Sequence, residues 1–382
     1  MKPFLPFALL LAAAVAGRAA DDGFVPLFNG HDLSNWVNVN CAPETWSVRD
    51  GVIHCTGFPT GALRTLRQYE NFILEVEWRH LERGGNSGVF IWGSPIAAPG
   101  VPFLRGIEVQ VLDHGYNASG KNEWYTTHGD VFPIHGATMQ PFGRHNGQRS
   151  FPSEERSKGS PEWNYYRVVC TNGVLRLHVN GKEVSGGEEC NYRRGYLALE
   201  SEGAPVEFRN LRVQELRSSG VSDKLTAPLD AGWRPLFNGL DLRGWRTNAA
   251  TAARWQVSGE RLRLKAGPED PRATLWTEST FGDCELILDY QPPKDQSAAD
   301  APAVYFGQVK LSLTPAEPGK YQRYRITKNR YLATVLRNEL PIAAGGAAHG
   351  WRAPVKLGLS APGMPGEFMN LYVRDLREGE KP

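Results

Sequence analysis

The sequence predicts an all-β protein made of two successive two-sheet sandwiches of jelly-roll type, and three observations carry that reading. Short runs such as "NFILEVEWRH", "SGVFIWG" and "NYYRVVCTNGVLRLHVNGKEV" alternate apolar with polar residues between Gly, Asn, Asp and Pro turns, the pattern of half-buried strands. Two Asn-Gly pairs, at 172–173 and 180–181, are strong hairpin signals. The third observation is an internal repeat. No stretch sustains a 3.6-residue apolar period with capping residues, so helices are excluded as the framework.

The strands recur in order. "PLFNGHDLSNW" at 26–36 returns as "PLFNGLDLRGW" at 235–245, and Trp46-Ser-Val48 returns as Trp255-Gln-Val257. "NFILEVEW" ending at Trp78 matches "DCELILDY" ending at Tyr290, and Val89-Phe-Ile91 matches Val304-Tyr-Phe306. Arg167 in "YYRVV" then matches Arg325 in "RYRIT", and "FRNLRVQEL" matches "FMNLYVRDL". Ten or more short strands per copy at this spacing point to a sandwich or jelly roll. The offset between the copies drops by 54 residues between the Trp78/Tyr290 and Arg167/Arg325 pairs, so the second copy lacks part of 92–162. The expected organisation is a leader over 1–20, a first module over 21–217, a linker over 218–231 and a shorter second module over 232–382. The second module keeps the framework and, without paired acids, is expected to be non-catalytic.

At 382 residues and 41% hydrophobic content, the chain can bury two cores. Lys and Arg number 43 against 41 Asp and Glu, with no long single-sign run, which argues against nucleic acid or an anionic membrane as partner. "MKPFLPFALLLAAAVAGRAA" reads as a secretory signal cut near Ala19 or Ala20, too short to span a bilayer. The expected location is therefore secreted or periplasmic. In that oxidising setting the five cysteines suggest bridges Cys41–Cys55 and Cys170–Cys190 with Cys284 free. Oligomeric state is left open.

The candidate chemistry lies in the segment that only the first copy has. In "GIEVQVLDHGY", residues 106–116, Val109, Val111 and, less cleanly, Ile107 share one strand face, which leaves Glu108 and Gln110 on the other, followed by Asp113 and His114. Asn86 and Ser87 stand at a Gly-rich strand start, "GGNSG", where a ligand can approach closely. Asp113, His114, His128 and His135 are candidate ligands for a divalent cation, although their spacing matches no metal motif. Trp92, Trp124 and Tyr125 are candidates to stack on the flat face of a ligand.

In order, "PLFNGxDLxxW", "W-x-V-x-D-G" at 46–51, "GGNSGVF" at 84–90, "IEVQVLD" at 107–113, "EWNYYRVV" at 162–169, "LHVNGKEV" at 177–184 and "GYLALESEGAPVEFRNLRV" at 195–213 resemble the 3-keto-disaccharide hydrolase family. The resemblance covers about 24–216 and is partial over 232–376, where Ala301-Pro302-Ala303 replaces "NSG" and Gln308-Val-Lys310 is the nearest counterpart of "EVQ". It implies a concanavalin A-like jelly roll, a carbohydrate substrate, and cleavage of glycosides already oxidised at the third carbon, by hydrolysis or elimination. A ketone at C3 acidifies the C2 proton, so a base could remove it and the C1 group could leave. Glu108 is the candidate base and Gln110 a hydroxyl binder. Asn86 and Ser87 would hold sugar oxygens, and Asp113 or His114 would supply the acid; no cofactor is certain, and a divalent metal is possible.

Two other readings compete. Glu108-x-Gln110-x-x-Asp113 resembles the E-x-D-x-x-E strand of laminarinase-type retaining glycosidases, with Gln and Asp in place of the last two acids; a bulge would be needed to bring Glu108 and Asp113 to one face. Alternatively, a jelly roll with aromatics and amides suffices for a non-catalytic carbohydrate-binding protein.

Overall fold

A computed structural model describes residues 23–116, 124–126, 128–295, 302–313, 317–330, 332–342, 353–360 and 362–376. The leader expected over 1–20 lies outside them. Among the described residues the framework is strand, with one helix, Ala249–Arg254, and three short 3-10 turns. No described helix is long and apolar enough to cross a membrane.

Each copy of the repeat forms two antiparallel sheets around its own core. In the first copy the larger sheet is centred on Phe72–His80, flanked by Asn164–Thr171 and Val206–Glu215. The smaller sheet runs His145–Asn146, Arg149–Ser150, Val131–Ile134, Gly106–Leu112, Asn86–Gly93, Tyr196–Ser201, Gly61–Thr65, Trp36–Val39. Period-two alternation sorts its residues: Val89, Ile91, Ile107, Val109, Val111, Leu197 and Leu199 point into the core with Trp78, Tyr166 and Phe208. The intervening residues point out of the sandwich, and there the site is built.

The second copy repeats the plan with Cys284–Gln291, Gly366–Asp375 and Gln322–Lys328 at the centre of its larger sheet. Its smaller sheet has five described strands: Trp245–Arg246, Leu275–Thr277, Leu357–Leu359, Ala303–Phe306 and Val309–Ser312. That sheet stops where Gly106–Leu112 would be. In the first copy the extra segment adds three strands beyond this point, which turns an edge strand into an interior one.

The two sandwiches stack. Ile287 and Tyr372, on the outer face of the second copy's larger sheet, pack on Val39, Ala62, Phe90 and Ala198, on the outer face of the first copy's smaller sheet. Polar groups sealed in this seam are paired: the Tyr372 hydroxyl donates to Asn40 Oδ1 at 2.5 Å, Asn40 to Asn370 at 2.6 Å, and Gly100 N–H to Asp289 at 2.8 Å. Asp289 is itself buried against Arg323, whose guanidinium also donates to the Ala97 carbonyl.

The expected bridges Cys41–Cys55 and Cys170–Cys190 are not formed; all five cysteines are free and buried. Cys41 and Cys55 lie near one another, yet each sulfur has another contact, Cys41 toward the Pro59 carbonyl at 3.7 Å and Cys55 accepting from Gly57 N–H at 3.3 Å. Burial raises their thiols, Cys55 to about 11.

Candidate active site

Antiparallel pairing assembles the site, with an unbroken register between Asn86–Gly93 and Gly106–Leu112. Asn86 pairs with Leu112, Gly88 with Gln110 and Phe90 with Glu108; on the other side Phe90 pairs with Ala198 and Asn86 bridges to Glu202. Directly opposed residues share a face. Glu108, Gln110, Asn86, Glu200 and Glu202 therefore point out of the sandwich together, around Gly88. A side chain there would crowd them: a Cβ would lie 2.9 Å from Glu108 Cγ and 2.9 Å from Glu200 Oε2. Its absence is what lets two carboxyls converge.

The hydrogen bonds form one network. Gln110 donates to Asn86 Oδ1 at 2.9 Å, and Asn86 donates in turn to Glu202. Arg149 donates to Gln110 Oε1 at 3.2 Å and to Asp130 at 3.0 Å, while its guanidinium lies 3.3 Å from the Phe132 ring centroid. Asp130 also accepts from the backbone and hydroxyl of Thr126. On the far side, Glu260 of the second copy accepts from Thr60 N–H at 2.9 Å, and its charge reaches Glu202.

This setting keeps protons on carboxyls. Burial first, then the charge of Glu202, pushes Glu108 up to about 8 against the opposing pull of Arg149. Glu200 is likewise raised well above the usual carboxylate range, by burial and then by Glu108 and Glu202. Burial also raises Glu202, to about 7, although a hydrogen bond from Glu200 favours its ionised form. Near neutral pH the row thus holds an acid, Glu108, beside a carboxyl on the point of ionising, Glu202. Environments that separate neighbouring carboxyls in this way suit acid and base roles.

Other expected residues lie elsewhere. Ser87 points into the core side, donating to the Glu200 carbonyl at 2.8 Å. Trp92 is a core side chain, 0% exposed, edge-on to Phe72 and bonded to the Glu70 carbonyl. Ser87 sits one residue out of phase with the row; Trp92 has the row's parity, but the register against Tyr196–Ser201 shifts beside it and its φ of 53° turns the side chain inward. Asp113 lies past the end of the strand and clamps a loop, accepting from Gly84, Gly115 and Ser160 N–H at 2.7–2.8 Å. Burial works against its ionisation, but those three bonds win and hold its pKa below the usual carboxylate range. The register from Gly106 to Leu112 has no bulge, so Glu108 and Asp113 do not form the pair a laminarinase-type reaction requires.

His114 and His128 do come together, stacked at 4.6 Å, with Glu155 beside them. Their ligand atoms and the Glu155 carboxylate lie within 4.8 Å of one another, a set able to hold a divalent cation. Burial, and then the charge of His114, pushes His128 down to about 3, which keeps it in the neutral ligand form. His135 is not part of this group; it stacks on Phe103. Trp124 is 71% exposed at the mouth of a cleft of about 420 Å³ that Phe132, His135 and Arg149 also line. Tyr125 packs edge-on to Tyr116, whose phenol senses Glu202.

Glu200 and Glu202 are functional candidates that the sequence reading passed over. Their signal was visible: "LALESEG" places two acids at period two in an apolar strand, as "IEVQV" does with Glu108 and Gln110. Asp130, Arg149 and Glu260 gave no such signal.

Residues 23–214 and 232–301 match the 3-keto-alpha-glucoside-1,2-lyase-like domain. Two Parabacteroides distasonis structures assigned as glycosyl hydrolases are similar, one at 22% identity and TM-score 0.42 over 51% of this chain and 94% of its own, the other at 23% and 0.39 over 50% and 99%. A carbohydrate-binding module of Bacillus subtilis, CBM66, is similar at 11% and 0.33, over 47% of this chain and 96% of its own. Likeness at that level says nothing of chemistry. No curated protein matches in sequence. The family match covers the first copy and the first part of the second, and the chain belongs to the family of 3-keto-alpha-glucoside-1,2-lyase-like domains.

Proposed function

We propose that the protein cleaves the glycosidic bond of 3-keto-glycosides through abstraction of the C2 proton. The observation that supports this is the outward row of three converging carboxyls, with Glu108 held protonated and Glu202 close to ionisation at neutral pH. The sequence reading makes Glu108 the base; the scheme proposed here uses it as the proton holder, because it is more deeply buried than Glu202. In the proposed step ionised Glu202 takes the C2 proton, the C–H pair forms an enolate onto the C3 oxygen, and the C1–O bond breaks with Glu108 protonating the leaving oxygen. Addition of water to the resulting enone completes hydrolysis. Arg149, Gln110 and Asn86 are the groups placed to hold the enolate oxygen and neighbouring hydroxyls. The His114, His128 and Glu155 group would hold a divalent cation that polarises a carbonyl or hydroxyl, a role no step above needs. Export to the periplasm or outside the cell fits a substrate of this kind and remains part of the proposal.

The test is to incubate the protein with one glycoside and its 3-keto derivative in D2O, with and without chelator, and to follow products by mass spectrometry. Cleavage of the keto form alone, with deuterium at C2, is expected. Equal cleavage of the unoxidised glycoside would overturn the reading in favour of direct hydrolysis.

A further inference from the structure

The smaller sheet of the second copy ends the stack of sheets, and its outer face differs from the face it repeats. Register sets one row across all five strands: Arg246 opposite Trp276, Trp276 opposite Gly358, Gly358 opposite Tyr305 and Tyr305 opposite Lys310. In the first copy the equivalent row is Val37, Arg64, Ala198, Phe90, Glu108. There Val37, Ala198 and Phe90 are covered by Ile287, Tyr372 and Trp233 of the next sandwich. Neither Trp276 nor Tyr305 joins any apolar cluster among the described residues.

The row is shaped as a platform. A Cβ on Gly358 would lie 2.8 Å from the Trp276 ring, so only glycine lets the indole lie across the middle strand. It meets Tyr305 with ring centroids 5.7 Å apart at 46°. Arg246 and Lys310 stand exposed at the two ends, and neither makes an ion pair among the described residues. Four strand spacings separate them, roughly 19 Å.

We propose that this face binds an acidic oligosaccharide, with sugar rings stacked on Trp276 and Tyr305 and carboxylates paired with Arg246 and Lys310. Aromatic faces take the C–H faces of sugar rings, and two unpaired cations at the ends select an anionic chain over a neutral one. A third sandwich or a protein partner fits less well, because the core of such an interface is depleted of unpaired charge. The proposal is independent of the chemistry at Glu108.

Calorimetry on the full chain tests it, with an oligogalacturonate as probe and a malto-oligosaccharide as the neutral comparison. Oligogalacturonate is expected to bind, to weaken as salt rises toward about 0.5 M, and to lose about tenfold affinity in Trp276→Ala and in Lys310→Glu. Arg246→Glu gives a second reading should Trp276→Ala unfold. Binding undiminished in all three variants would place any sugar site on the first copy and overturn the proposal, as would absence of binding at millimolar probe or equal binding of the neutral oligosaccharide. A dimer in sedimentation that Trp276→Ala abolishes would replace the sugar with a second copy of the chain.

Discussion

Glu108 owes its chemistry to burial, and the cost of that burial is itself measurable. In the unfolded chain it ionises near 4.5, whereas in the fold it keeps its proton to about 8. Below pH 4.5 both states are protonated and no penalty arises. Between those values the unfolded chain releases a proton that the folded chain retains, so stability is lost as pH rises toward 8. Glu108→Gln, an amide of the same shape, should flatten that slope and gain about 1–4 kcal/mol on wild type across the window, at roughly 1.4 kcal/mol per pKa unit. Urea unfolding at several pH values measures it, and parallel curves would mean that Glu108 titrates normally. The same variant should lose at least about 100-fold in turnover of a keto-glycoside, because the amide cannot protonate the leaving oxygen. Wild-type activity should trace a bell in pH, rising as Glu202 ionises near 7 and falling as Glu108 deprotonates near 8, with both limbs belonging to the coupled row. A flat profile from pH 6 to 9 would remove both assignments.

At the scale of elements, the site is a product of register, which explains what the sequence could reveal. Period two within one strand put Glu108 and Gln110 on a shared outward face, and the structure keeps them there. Ser87 was missed by one residue of phase, since "GGNSGVFIW" does not alternate cleanly enough to say which face is which, and Trp92 by a bulge at the end of its strand that period two does not reveal. Glu200 and Glu202 were legible as period-two acids, but their nearness to Glu108 depends on Tyr196–Ser201 pairing across Asn86–Gly93, a contact more than a hundred residues apart in sequence. Asp130 and Arg149 come from the extra segment, whose pairing no local pattern specifies. Gly88 is where this geometry is most exposed to test. Gly88→Ala places a methyl against Glu108 and Glu200 and should force the carboxyls apart, with a modest loss of stability and a loss of about tenfold or more in kcat. Kinetics beside a melting curve checks it; unchanged kcat would show that the close approach of the two carboxyls is not used.

Across the whole molecule, the second copy does two things for the first: it covers Phe90, Ala198, Ala62 and Val39, and it sets Glu260 beside Glu202. It has no acids of its own in the equivalent places. With Val89 aligned to Val304, register puts Lys310 where Glu108 stands rather than at Gln110 as the sequence match had it, Ser312 at Gln110 and, through the Ala303–Ser360 hydrogen bonds, Ser360 at Glu200. Residues 221–382 alone should therefore turn nothing over. Residues 23–218 keep every carboxyl of the row but expose the seam, so they should be less stable and less active than the full chain. Glu260→Gln separates the electrostatic part of this from the packing part. Glutamine can still accept from Thr60 N–H, so the seam is left closed, while the negative charge that raises Glu202 is gone. The rising limb of the pH–rate profile should then move to lower pH with the falling limb in place and maximal kcat within about threefold, since one proton transfer step is retained. A rising limb that stays put would mean either that Glu202 is not the base or that the second copy serves the first by packing alone, and a Glu202→Gln variant that still turns over would decide for the former.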